Sequence, residues 1–177
     1  MWDETMPRPV EFAEAFSDAA LLLGLSRPAG QCFAAIWRAA QAPCADDLTE
    51  GLGLSRSNVS TALKELRDWG LISRVRAPGD RKEYFAADPD AWVILGTMLS
   101  AFQRRSLSPA VDRVFAAEAE SGGDARAAAL HAALSLLSGR LAALAALPAA
   151  ELARAMQGFS AKPGDGKKKK KKRKDQS

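Results

Sequence analysis

The sequence predicts a mainly α-helical chain with a small two-stranded β-wing, a winged helix-turn-helix followed by a helical dimerisation region. Three observations carry this. The apolar fraction is 47% and is dominated by alanine and leucine with few β-branched residues, which favours helix because those side chains lose little entropy there. The apolar period is helical through most of the chain and changes to strand alternation only over residues 71–86. The order of elements is helix, short helix, tight turn, helix, hairpin.

The elements follow from local chemistry. Phe12, Phe16, Ala20 and Leu23 recur at helical spacing over 10–23, and Gly24 can end that helix. Ser26 can cap a second helix with Pro28 in its first turn, expected to run to about Gln41 and to bury Phe33, Ile36 and Trp37. Pro43 breaks the chain. A short helix over 45–51 carries Asp46 and Asp47 in its first turn, where the helix dipole favours anions. Gly53-Leu54-Ser55 is a tight turn, Ser55 caps a helix over 56–69, and Gly70 terminates it. Leu71, Ser73 and Val75 then alternate with Ile72, Arg74 and Arg76, residues 77–80 are turn chemistry, and alternation resumes over 81–86. Asp88 and Pro89 are expected to open a helix with Trp92, Leu95, Leu99 and Phe102 on its apolar face. Ser108-Pro109 is expected to start another with Val111, Val114 and Phe115. After a break at 121–123, a long helix over 124–147 places Leu130, Leu134, Leu137, Leu141 and Leu144 on one side, limited by Pro148. The expected organisation is an N-terminal helix and dimerisation arm (1–25), a DNA-binding domain (26–87), a helical dimerisation and effector region (88–157) and a disordered Lys-rich tail (158–177).

Charge is uneven. The chain carries +4, but residues 162–177 alone carry +7, so the rest carries −3. Within residues 54–85 the net is +3, from Arg56, Lys64, Arg67, Arg74, Arg76, Arg81 and Lys82 against Glu65, Asp68, Asp80 and Glu83. Positive charge therefore concentrates on the helix over 56–69 and the hairpin after it, as a duplex-binding surface requires. On that helix Val59, Ala62, Leu63, Leu66 and Trp69 share one face, whereas Arg56, Ser57, Asn58, Ser60, Thr61 and Lys64 are polar. Short polar side chains let a helix enter a major groove roughly 12 Å wide. Arg56 can address guanine and Asn58 adenine, each with two hydrogen bonds, and the hydroxyls of Ser57, Ser60 and Thr61 suit phosphates or base edges. The hairpin tip carries Arg81 and Lys82, with Arg81 the candidate for insertion into a minor groove and Asp80 placed to orient it. An ordinary exposed polar helix followed by a mixed-charge hairpin is the competing explanation.

The string LGLSRSNVSTALKELRDWGLI, followed by PGDRKEYF, resembles the GbsR/MarR-type bacterial transcriptional regulators over roughly residues 10–150. The resemblance implies a homodimer that binds a pseudo-palindromic operator, often as a repressor relieved by a small effector. It implies that Ser55, Arg56, Ser57, Asn58, Ser60 and Thr61 belong to the recognition helix and Arg81 to the wing. Similar sequences often have Ser where this chain has Cys44, and the C-terminal lysine run is not a family feature.

A single module reads few bases, so dimerisation is expected, with Leu130, Leu134, Leu137, Leu141 and Leu144 as the candidate interface. An intrachain bundle using the same leucines is the alternative. Trp37, Trp92 and Phe102 are a possible effector pocket, suited to a quaternary ammonium by cation–π attraction, against plain core packing. Cys44 stands at a helix N-terminus, where a thiol can serve as a redox sensor, against the simpler role of a small hydrophobe. Cys32 and His131 are expected to be structural. The lysine tail can raise non-specific DNA affinity or simply solubilise.

Two cysteines without a CxxC and one histidine exclude a disulfide framework, a zinc site and a nucleophile triad, so no enzyme, cofactor or metal is expected. Asp3 and Glu4 do not fit a signal peptide, and the longest apolar stretch, Ala127 to Leu147, is interrupted by His131 and Arg140. The expected partners are double-stranded DNA, a second copy and a possible small effector, in the cytoplasm or nucleoid and not at a membrane. A non-specific DNA-binding protein and a winged-helix protein–protein adaptor remain as alternatives.

Overall fold

The computed structural model describes residues 9–76, 79–120, 122 and 124–158. Four helices build the base of the fold: α1 (Pro9–Leu22), α2 (Arg27–Arg38), α3 (Ala45–Leu52) and α4 (Arg56–Asp68). Each starts or stops where local chemistry dictates. The Ser26 hydroxyl accepts from Ala29 N–H and Ser55 from Asn58 N–H, so both serines cap. Gly24 and Gly70 take positive φ (92° and 78°), a conformation that ends α1 and α4 cheaply only without a Cβ. At α3 the cysteine is compensated from within the helix, because the Asp47 carboxylate reaches back to accept from Cys44 N–H at 2.8 Å. α2 ends three residues earlier than expected, as Ala39 turns extended.

The core lies between α2 and α4. Phe33 and Ile36 of α2 meet Val59, Ala62, Leu63, Leu66 and Trp69, all buried, with Leu48 of α3 and Leu71 and Ile72 closing the end. Trp37 is only half-buried and donates its indole N–H to the Asp88 carbonyl (3.0 Å). Cys32 is fully buried, and burial pushes its thiol up to about 12, so it is an inert core residue. α1 lies along α2 so closely that a Cβ on Gly30 would come within 2.7 Å of Ser17 Cα.

The wing is an antiparallel pair, β1 (Ser73–Val75) and β2 (Tyr84–Ala86), with Arg74 opposite Phe85. It is anchored by a third segment: Cys44 bridges to Tyr84, and Phe85 N–H donates to the Pro43 carbonyl at 2.9 Å. Leu71 and Ile72 do not alternate, since both are buried before β1 begins.

The remaining helices are α5 (Ala91–Phe102), α6 (Ser108–Glu120), α7 (Ala125–Ala145) and α8 (Ala149–Gly158). Asp90, not Asp88, caps α5, accepting from Trp92 N–H at 2.8 Å. Asp88 instead accepts from Asp90 N–H. The buried face of α5 is Ile94, Met98 and Ala101; the expected face of Trp92, Leu95, Leu99 and Phe102 is half-buried. α5 and α6 are not separated. A π-helical segment, Gln103–Leu107, joins them into one rod; Pro109 lies inside that rod and has no N–H to give the preceding turn, and the wider π turn stands directly before it. α8 is an element that the sequence reading does not anticipate; its Leu152 is fully buried and packs against Gly96 of α5. α7 has no buried residue, although His131 pairs with Glu118 of α6 (2.7 Å) and its ring lies tilted against Phe115. It is also long and apolar enough to cross a membrane by length and composition. The expected tail, apart from Gly158, lies outside the described residues, as does the turn at 77–78.

The Gly30 contact makes a direct prediction. Gly30→Ala must displace backbone at Ser17 and is expected to lower stability by about 1–3 kcal/mol. Gly51→Ala, which meets nothing within 4 Å, is expected to be neutral or to stabilise by up to ~1 kcal/mol. Urea midpoints of the two variants check this.

Candidate nucleic-acid interface

Because α4 buries one face completely, its opposite face must be solvent-facing. At about 100° per residue, Ser57, Thr61, Lys64 and Asp68 run down the middle of that outer face. Arg56 and Ser60 lie toward the wing, and Asn58 lies on the far edge toward α2. All of Ser55, Arg56, Ser57, Asn58, Ser60, Thr61 and Lys64 are exposed. None turns into the core. The Ser55 hydroxyl is also 3.0 Å from Ser57 Oγ, so the cap orders the first turn beyond its own bond. Arg56 leans on Asp46 of α3 at 3.5 Å, with its side chain 85% exposed; such a pair is worth little and leaves the guanidinium available.

Between α3, α4 and the hairpin runs an open crevice of about 510 Å³. Arg56, Lys64 and Arg67 line it from α4 and Arg74 from β1, facing Asp46 and Glu83. Arg74 Nη1 donates to Glu83 Oε1 across the hairpin at 2.8 Å. Arg67 and Arg74 belong to the expected basic patch but not to the expected DNA contacts. The signal for Arg67 was present, as it continues the Arg56, Ser60, Leu63 stripe by one turn. Arg74 could be placed only once the strand register was known.

At the wing tip Arg81 and Lys82 are exposed, and Gly79 takes φ 82° with open space around it. Asp80 does not orient Arg81. Its carboxylate accepts from Tyr84 O–H at 2.6 Å and from Lys82 N–H at 2.9 Å, closing the tip on itself. Asp80 is thereby held below the usual carboxylate range, first by the tyrosine bond, and Tyr84 is pushed up to about 12 by Asp80. The tip thus presents two cations on a loop braced from inside.

The three aromatics expected to form one pocket are not brought together. Trp37 lines an apolar cavity of about 190 Å³ with Phe16, Phe33, Ile94, Leu95 and Met98. Trp92 lines a separate, more polar hollow beside Ser100 and Arg104, and Phe102 lines neither. Of the five leucines expected at an interface, Leu130 and Leu137 are exposed, whereas Leu134, Leu141 and Leu144 are partly covered by their own chain; Leu136, not anticipated, is the most exposed at 64%. Cys44 is buried. Among the described residues no cluster of His, Cys, Asp and Glu could hold a metal ion.

Two comparisons with known proteins bear on this geometry. Residues 23–83 match the model of the MarR family, a span that holds α2, α3, α4, β1 and the wing tip and stops before β2. A crystal structure of a transcriptional regulator superposes with a TM-score of 0.56 at 21% identity, covering 87% of this chain and 99% of that one, which shows a shared fold. No protein of curated function matches.

The wing-tip bond predicts a pH signature. Tyr84→Phe is expected to raise the Asp80 carboxyl toward its ordinary value, as followed by NMR titration. In the intact chain the depressed carboxyl makes the brace fully present above the ordinary aspartate range and lost as pH falls through its folded value. The raised Tyr84 loses its contribution only as pH climbs through about 12. An Asp80 titration that Tyr84→Phe leaves unmoved would contradict the bond.

Proposed function

We propose that this chain is a MarR-type regulator of transcription that binds a pseudo-palindromic operator as a homodimer and acts as a repressor. The observation that carries the proposal is the pairing of a short-chain polar helix face with a cation-tipped hairpin on one side of a rigid core, inside the segment that matches the MarR model. In this role Arg56, Asn58, Ser60 and Thr61 meet base edges, and Ser55, Ser57 and Lys64 meet phosphates. Arg81 and Lys82 approach the neighbouring minor groove or backbone. The match to the MarR model favours a regulator over an enzyme.

The dimer is proposed to close on α7 together with α1. Exposed Leu130, Leu136 and Leu137 on α7 and Phe115 on α6 form apolar surface that a second copy would cover. A membrane is the competing partner for the same helix, and sedimentation in detergent-free buffer separates the two. The effector is proposed to occupy the cavity beside Trp37, whose apolar and aromatic lining fits a small, ring-sized molecule. The protein then works in the cytoplasm, on the nucleoid.

The test is a gel shift against fragments selected from the native genome, at physiological salt. Wild type is expected to prefer one fragment over random DNA, and a chain cut before Lys162 is expected to bind everything more weakly yet keep that preference. Asn58→Ala should relax one base position by about 1–3 kcal/mol, and Arg81→Ala should lower affinity. Leu137→Asp should sediment as a monomer and lose about 100-fold in operator affinity through lost bivalency. Loss of all preference in the cut chain favours a non-specific binder, and indifference to Asn58 and Arg81 favours an adaptor.

For the effector, small aromatic hydrocarbons are expected to alter indole emission in wild type but not in Trp37→Phe. Emission that stays constant removes the effector from the proposal.

A further inference from the structure

The π-helical segment Gln103–Leu107 is a junction. Arg105 Nη2 donates to the Asp68 carbonyl at 2.8 Å, the last residue of α4, and its guanidinium lies 5.8 Å from the Trp69 ring, the residue that ends that helix. Ser106 faces Gly24 so closely that a Cβ there would sit 3.3 Å from its Oγ, so the turn joining α1 to α2 rests on the same segment. Gln103 reaches α7, donating to Ser138 Oγ at 3.4 Å. The end of α4, the turn between α1 and α2, and α7 thus all meet these five residues.

The chemistry at Arg105 is directional. The last carbonyls of a helix lack intrahelical partners and carry the negative end of the dipole, and a cation there satisfies both. Trp69 is buried, so the guanidinium lies over a ring that is held in the α2–α4 core. π-helical turns replace the ordinary bond pattern at some cost and recur at functional sites. Here the wider turn is the part of the rod from which Arg105 reaches α4.

We propose that Arg105 is a positioning residue for DNA recognition: it locks the pitch of α4 to the rod that leads to α7, and so sets the distance between the two recognition helices of the dimer. This rests on the DNA-binding role proposed above. Arg105 itself need not touch DNA. It acts through the Asp68 carbonyl and the Trp69 ring.

Two measurements test it. In the free protein, Arg105→Ala is expected to speed hydrogen exchange of the Trp69, Gly70 and Leu71 amides by roughly 3- to 10-fold, the equivalent of one lost hydrogen bond. Arg104→Ala removes an equal charge from the same segment, but its bond is to Ser100 of its own rod, and it should leave those amides unchanged. In a selection from random duplexes, wild type and Arg104→Ala are expected to enrich paired half-sites at one spacing, and Arg105→Ala to enrich the same half-sites over several spacings. A purely structural role would lower yield or melting temperature without broadening the spacing. If wild type enriches no paired motif, the DNA-binding role fails and this inference with it. If wild type enriches one and Arg105→Ala keeps its spacing, or leaves the three amides unchanged, only the Arg105 inference is overturned.

Discussion

The apolar seam between α2 and α4 is the constraint from which the rest follows. Val59, Ala62, Leu63, Leu66 and Trp69 have almost no exposed surface, and large side chains of this kind contribute roughly 1.5–3 kcal/mol each when buried. Rotating α4 by one residue would expose part of that set and drive a charged or hydroxyl side chain into the core at comparable cost. The outward direction of Arg56 through Lys64 is therefore fixed by what lies behind them. The Glu65 carboxylate adds a polar pin at one edge, accepting from Ser26 N–H (2.9 Å) and from the Ser26 hydroxyl. One residue thereby couples the cap of α2 to the third turn of α4.

Electrostatics then shapes the surface the seam exposes. Two cations are partly answered within the chain, Arg56 by Asp46 and Arg74 by Glu83, and both pairs are exposed enough to exchange a carboxylate for a phosphate at small cost. Lys64, Arg76, Arg81 and Lys82 make no ion pair among the described residues. Asp80, which could have neutralised Arg81, is occupied by Tyr84 and by backbone. Outside the lysine tail the other residues are net acidic, so this patch is a local concentration of positive charge on an acidic body.

The winged fold was legible because its signals are short-range. Ser26, Ser55, Gly24 and Gly70 cap or stop helices by chemistry within a few residues, and the faces of α2 and α4 follow from a helical period. What escaped depended on partners distant in sequence. The buried face of α5 was misassigned because Trp92, Leu95, Leu99 and Phe102 satisfy the same period as Ile94, Met98 and Ala101, and only the position of α1, α2 and α8 chooses between them. The π segment appeared as a helix break because Ser-Pro is also a good helix start. Asp80 was paired in expectation with its neighbour Arg81, whereas hairpin closure brings it Tyr84. The leucine ladder of α7 was correctly placed on one side of a helix, but that side is shared between α5, α6 and solvent, a division no single-chain pattern encodes.

In the proposed role α4 and the wing tip, rather than α7 or the lysine tail, meet the duplex. Hydrogen–deuterium exchange of the full chain with and without a selected operator duplex measures this directly. New protection is expected only at residues 54–64 and at the hairpin around 79–84, with α7 unaltered. Protection that appears along α7 or only beyond residue 161, with α4 unaffected, would contradict it.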